Sequence, residues 1–188
     1  MSEPVSALNR ATFDGLAHVQ EAGLQGMITL RGTVLDEGFA KAVSDVTGLV
    51  LPGQRGVVSG GDSTLVWMSP DELLLLCPRG DTSDRVARLT AALGDTHALV
   101  VDVSDARAIF TLSGPQLREV VAKLAPVDMS PAAFQPGTVR RTRFAQVAAA
   151  VWLSDSETAQ IICFRSVAPY MFALLCNAAT PGTAVGVF

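Results

Sequence analysis

Thr29-Leu30-Arg31-Gly32 returns as Thr111-Leu112-Ser113-Gly114, 82 positions further along the chain. The parallel continues. Val66-Trp67-Met68-Ser69 is echoed by Val151-Trp152-Leu153-Ser154 at a spacing of 85, and Leu73-Leu74-Leu75-Leu76-Cys77 by Ala159-Gln160-Ile161-Ile162-Cys163 at 86. Each opening motif is followed by a helical pattern, each Trp strand by an acidic turn, and each Cys strand by a second helix. A spacing that drifts this little needs only small loop insertions. Such a repeat decides the fold class before any single motif is read. Either half alone is too small to bury much core. The expectation is therefore one α+β domain, internally duplicated, with halves at about 25–104 and 105–188 after an extended N-terminal arm over 1–24.

Local signals fill in the halves. Asp36–Thr47 carries Phe39, Ala40, Val43 and Val46 at helical spacing, with Gly48 as a C-cap. Ser63–Met68 and Leu73–Cys77 read as a hairpin around Ser69-Pro70-Asp71-Glu72, with Pro70 preset for the turn. The four-leucine run is too short for a long helix and reads as a strand buried on both faces. Asp81-Thr82-Ser83-Asp84 is expected to cap a helix to Leu93, stopped by Gly94. Ala98–Val103 reads as a buried strand. In the second half, Ala108–Leu112 leads through Ser113-Gly114-Pro115 into a helix striped by Leu117, Val120, Val121 and Leu124. A Pro-rich loop follows over 126–137. Then come strands Thr138–Phe144, Val147–Leu153 and Thr158–Phe164. Ala145-Gln146 is either a turn or a bulge. Ser166 is expected to cap a last helix to Ala179, and Ala184–Phe188 can add a last edge strand. The order β-α-β-β(-β)-α-β, twice, is that of two ferredoxin-like halves with antiparallel sheets and helices on one side.

Composition narrows the function. At 188 residues, one compact domain is the default. Hydrophobic residues make up 49% and charged residues 17%, apolar enough to suggest a surface covered by a partner. An Ala-rich and Val-rich core explains the same numbers. A net charge of −4 argues against nucleic acid. No run of apolar residues is long enough for a membrane span. Met1-Ser2-Glu3-Pro4-Val5-Ser6 lacks the pattern of a secretory signal. The three cysteines, Cys77, Cys163 and Cys176, sit in apolar runs and read as buried, reduced thiols, consistent with the cytoplasm. One basic cluster stands out, Arg140, Arg141 and Arg143. On a strand, Arg141 and Arg143 share a face and Arg140 opposes them. They suit an anion or a partner's carboxylate, or a solvated strand edge.

No catalytic set emerges. His18 and His97 are the only histidines, and neither belongs to a nucleophile or metal spacing. Asp102 lies in the apolar run Val100–Val103. There it is either a functional acid or a cap on the strand end. Gly53, Gly56, Gly60 and Gly61 do not lead into a helix, so they are no phosphate-binding loop. Trp67 and Trp152 are taken as equivalent core or interface aromatics. No catalytic, cofactor or metal residue is assigned.

Two stretches resemble known families. Val101-Asp102-Val103-Ser104-Asp105-Ala106-Arg107 with Leu112-Ser113-Gly114-Pro115 resembles the entry of the folate-binding domain in the glycine-cleavage T-protein (aminomethyltransferase) family. A wider run looks like the gamma subunit of heterotetrameric sarcosine oxidase. It comprises Trp67–Leu75, the block from Asp102 to Gly114, Pro126-Val127-Asp128, Ala133-Phe134-Gln135-Pro136-Gly137 and Arg141-Thr142-Arg143-Phe144-Ala145. The resemblance implies a non-catalytic subunit of a flavoenzyme that converts sarcosine to glycine and hydrogen peroxide, passing a one-carbon unit to tetrahydrofolate. It implies alpha, beta and delta partner subunits, with FAD, FMN, NAD and tetrahydrofolate held by the partners and none here. The T-protein family continues after Gly137 into a Gly-Gly segment and an Asp-Asp pair serving the folate. Here Phe144–Ala150 contains no carboxylate, which speaks against folate chemistry. The alternative is a stand-alone folate-binding, aminomethyltransferase-like protein. In either case Arg107, Arg141 and Arg143 are the candidates for anion or partner contact.

Overall fold

The computed structural model describes residues 3–188; Met1 and Ser2 of the expected arm lie outside the described residues. Two short strands come first, β1 (Thr12–Asp14) and β2 (His18–Glu21). Two compact units follow from the contacts. One is Gln25–Asp105; the other joins the stretch ending at Leu24 to Ala106–Phe188.

The Gln25–Asp105 unit runs β3 (Gly26–Arg31), α1 (Glu37–Thr47), β4 (Val57–Gly60), β5 (Ser63–Ser69), β6 (Glu72–Cys77), α2 (Thr82–Leu93), β7 (Leu99–Asp102). Its strands form one antiparallel sheet in the order β4-β5-β6-β3-β7. Asp36 caps α1 by accepting from the Phe39 N–H at 2.9 Å. Gly48, at φ 72°, ends the helix in the left-handed conformation that favours glycine. Phe39, Val43, Leu89 and Leu93 from the helices pack on Ile28, Leu30, Leu65, Leu73 and Leu75 from one face of the sheet. The other face presents Met27, Val66, Leu74 and Leu76, which are buried as well. The leucine run is thus buried on both faces, as its unbroken apolar pattern requires.

Two local expectations are corrected here. Asp81 makes no cap bond; a 3-10 turn, Arg79–Asp81, leads into α2 instead. β7 is not buried: it has β3 as its one neighbour, and Leu99 and Val101 are 50% and 38% exposed.

The second unit continues with β8 (Arg107–Ser113), α3 (Leu117–Leu124), β9 (Val139–Phe144), β10 (Val147–Asp155), β11 (Thr158–Phe164) and α4 (Ala168–Ala178). Its antiparallel sheet has the order β1-β2-β8-β11-β10-β9. Phe110, Leu112, Ile161 and Val151 pack beneath α3 and α4 with Val120, Met171 and Leu175. Ala145-Gln146 is a two-residue turn joining Phe144 to Val147, with Ala145 at φ 50°. Ser166 lies in a 3-10 turn, Arg165–Val167, and does not cap α4.

The duplication holds at the level of register. Leu65 opposes Leu75 where Val151 opposes Ile161, and the bulges place Ser69 by Glu72 where Asp155 stands by Thr158. Every pair is displaced by 86 positions. Trp67 therefore corresponds to Leu153, and Trp152 to Val66. The expected equivalence of the tryptophans is off by one residue, which in a strand reverses the face. Trp67 packs on the helix side; Trp152, 3% exposed, lies on the opposite face.

The last strand of the second half is also corrected. Ala184–Phe188 forms no strand. The position beside β8 that would receive it is filled by β2, from the N-terminal stretch. That stretch is anchored by tertiary contacts. The Leu16 N–H donates to the Ala179 carbonyl at 2.7 Å, at the end of α4. A Cβ on Gly15 would stand 2.0 Å from that oxygen, so only glycine fits. Buried Glu21 accepts from the Ser6 hydroxyl at 2.7 Å and the Arg10 N–H at 2.8 Å.

Candidate docking surface

The second unit's sheet has one face against α3 and α4. Arg107, Phe164, Ala148 and Arg143 form a row across the other. Arg107 opposes Phe164 on β8 and β11, and Ala148 opposes Arg143 on β10 and β9. Continuing the register from Ala149 and Cys163 sets Ala148 beside Phe164. Residues directly opposed in a ladder share a face. Arg141 lies on the same face one row away, opposite Ala150. All three predicted arginines are thus brought to one face. With strands ~4.8 Å apart, Arg107 and Arg143 stand about 14 Å from each other.

The row is accessible at its centre. Phe164 is 51% exposed, and Ala148, Arg141 and Arg143 are exposed. The Arg107 guanidinium lies over the Phe164 ring, 4.6 Å from its centroid, a cation–π geometry. No strand position in these two rows is acidic. Sequence reasoning did not single out Phe164. Its signal was the parity of Thr158, Gln160, Ile162 and Phe164, which sets an aromatic on the face that does not meet the helices.

Arg140 takes the other side. It lies over the Phe134 ring at 5.3 Å and donates to the Val139 and Ala133 carbonyls at 3.0 and 3.2 Å. Arg118 donates to the Met129 and Phe134 carbonyls at 2.6 and 3.0 Å. Together they fix the 126–137 loop and seat Phe134 in the core.

The other candidates are structural. Asp102 Oδ1 accepts from the Ser104 N–H at 2.9 Å and from its hydroxyl. Ser104 Oγ accepts in turn from the Met27 N–H at 2.9 Å. Asp102 is therefore a cap that ties β7 to β3, supported by Arg79 at 3.4 Å. Asp71 pairs with Arg31 at 2.7 Å, and the Ser69 hydroxyl, ahead of Arg31, holds its carboxyl below the usual range. His97 is exposed, and His18 pairs with Asp14 at 2.6 Å. Cys77 and Cys163 are buried, whereas Cys176 is only partly so. Burial pushes the Cys163 thiol up to about 11. Among the described residues no group of three or more His, Cys, Asp or Glu is placed to hold a metal. No helix among them is long and apolar enough to cross a membrane.

One built feature had no sequence signal. Glu119, buried on α3, accepts from the backbone N–H groups of Phe188, Val185 and Val187 at 2.9, 3.0 and 2.5 Å. These bonds, led by that of Phe188, hold its carboxyl below the usual range. The tail is fixed by its backbone while Val185 and Val187 stay 68% and 66% exposed.

Comparison with known proteins gives a consistent result. A family model described as the sarcosine oxidase, gamma subunit family matches residues 31–181. The chain is 31% identical over 158 residues to a sarcosine oxidase subunit gamma of Corynebacterium sp. (strain P-1), covering 83% of this chain and 76% of that one. Its fold matches a chain of the heterotetrameric sarcosine oxidase from Corynebacterium sp. U-96, solved in complex with pyrrole 2-carboxylate. That match has a TM-score of 0.80 at 25% identity, over 89% of this chain and 87% of the other. The aminomethyltransferase T of Bartonella henselae shares the fold, with a TM-score of 0.57 at 16% identity over 80% of this chain and 43% of the other.

Proposed function

Because the chain belongs to the sarcosine oxidase gamma subunit family, we propose that it is the small, non-catalytic subunit of a heterotetrameric flavoenzyme. The assembly oxidatively demethylates sarcosine to glycine, forms hydrogen peroxide and transfers the one-carbon unit to tetrahydrofolate. The alpha, beta and delta subunits are its partners and carry FAD, FMN, NAD and tetrahydrofolate. The observation that carries this reading is the extent of the likeness. It spans residues 31–181 in sequence and 89% of the chain in three dimensions.

The chemistry of the site supports a docking role. Phe164 offers apolar area, and Arg107, Arg141 and Arg143 surround it with charge on a face that carries no acid in those rows. Aromatic and Arg side chains together are what interface centres favour. The complementary partner surface is an acidic and apolar segment of another subunit. In the segment after the 126–137 loop, Ala145-Gln146 makes a turn and Val147–Ala150 opens β10. The stretch Phe144–Ala150 contains no Asp or Glu.

Co-expression with alpha, beta and delta chains tests the proposal. The expected result is a yellow, sarcosine-oxidising assembly retrieved through a tag on this chain, with no flavin on the chain alone. Failure to retrieve partners, together with tetrahydrofolate binding by the lone chain in calorimetry, would replace it with the transferase reading.

A further inference from the structure

The duplication shows a strand position that one unit fills and the other leaves open. Val19 of β2 lies opposite Leu112, and Val100 of β7 lies opposite Leu30. The Ala22 N–H donates to the Ile109 carbonyl at 2.9 Å, and the Val103 N–H to the Met27 carbonyl at 2.8 Å. The two strands thus stand in the same register. Backbone groups alternate along an antiparallel strand, so those of Val19 and Glu21 point away from β8. β1 takes them: Phe13 lies opposite Val19, and the Glu21 N–H donates to the Ala11 carbonyl at 2.9 Å. The matching groups, of Val100 and Asp102, point away from β3, where no strand lies among the described residues.

The side chains differ in the same sense. Where β2 has His18 and Gln20, β7 has Leu99 and Val101, which stay exposed. The other sheet edges are blunted. β9 carries Arg141 and Arg143, β4 ends in Gly60, and β1 is three residues long with Asp14 at its end. β7 also ends in an acid, Asp102, but Asp102 is engaged by Ser104 and Arg79, and the exposed Leu99 and Val101 leave the rest of the edge apolar, a template for strand addition. The chain has no described segment to offer it. The residues before β7 are the end of α2 and its turn, and the tail is held by Glu119. We propose that β7 receives an extended apolar segment of another subunit of the assembly. It pairs antiparallel with the outward groups of Val100 and Asp102 and covers Leu99 and Val101. Phe13 models its central residue, which packs toward the core opposite Val100 as Phe13 does opposite Val19.

The inference rests on the reading of the chain as a subunit, and the test separates the two. Amide hydrogen exchange is measured on the full chain alone and in the co-expressed assembly. The Val100 and Asp102 amides are expected to exchange fast alone and slowly in the assembly. Val100→Pro removes an N–H that the chain's own sheet does not use, and Leu99→Lys/Val101→Lys charges the edge. The lysine pair, at exposed positions, is expected to melt like the parent, whereas Val100→Pro also loses packing on the core and is compared at a temperature where it is fully folded. Each should weaken assembly by about tenfold or more, Val100→Pro through the lost backbone hydrogen bond and the lysine pair through charge on the covered apolar edge. An assembly that forms with both amides unprotected overturns the strand addition and leaves the subunit reading standing. Protection that rises with the concentration of the lone chain overturns it in favour of a second copy. If no partner is retrieved at all, both readings fall.

Discussion

Ser104→Ala tests whether the Asp102-Val103-Ser104 motif is a brace or a ligand site. Ser104 is 6% exposed and Met27 1%, so the Met27 N–H has no water to replace its 2.9 Å bond to the Ser104 hydroxyl. An unsatisfied buried donor costs about 1–3 kcal/mol. The hydroxyl's own bond to Asp102 adds less, because Asp102 keeps the Ser104 N–H and reaches solvent. The expected loss is about 2 kcal/mol. For a chain of this size that lowers Tm by about 4–8 °C. Differential scanning calorimetry reads the shift, and exchange of the Met27 amide locates it. Asp102→Asn retains an acceptor and should cost clearly less. A Ser104→Ala chain melting within a degree of the parent, with Met27 still protected, would refute the brace.

Phe134→Ala empties a fully buried ring site beneath Arg140 and should cost about 3–5 kcal/mol in denaturant titration. The tail should respond to acid. Glu119 is depressed in the folded state, so its hold is complete above the ordinary glutamate value of about 4.3 and fades as pH falls through the lowered one. Amide exchange at Val185 and Val187 checks this, and Glu119→Ala should loosen both amides at neutral pH. Thiol labelling should reach Cys176 first and Cys163 last, since burial raises the Cys163 thiol to about 11. Arg107→Ala/Arg143→Ala should leave the lone chain's Tm nearly unchanged but reduce retrieval of partner subunits in the tagged assembly.

The sequence by itself determined the duplicated α+β fold. Its signals are local: the spacing of Phe39 and Val43, Asp36 and Gly48 at the ends of α1, and the leucine run after Pro70 all act within a few residues. It also placed Arg141 and Arg143 on one face, because strand parity is local. Tertiary structure alone decided the rest. Strand register, shared by the two hairpins down to the position of the bulge, made Trp152 the counterpart of Val66 rather than of Trp67. Competition for the place beside β8 went to His18–Glu21, held by Ala179 and Glu21, and not to Ala184–Phe188. The row of Arg107, Phe164, Ala148 and Arg143 needed four strands to pair in one register. β7 was left open because pairing partners are chosen by contacts distant in sequence. A short apolar run such as Leu99-Val100-Val101 reads the same whether one neighbour covers it or two.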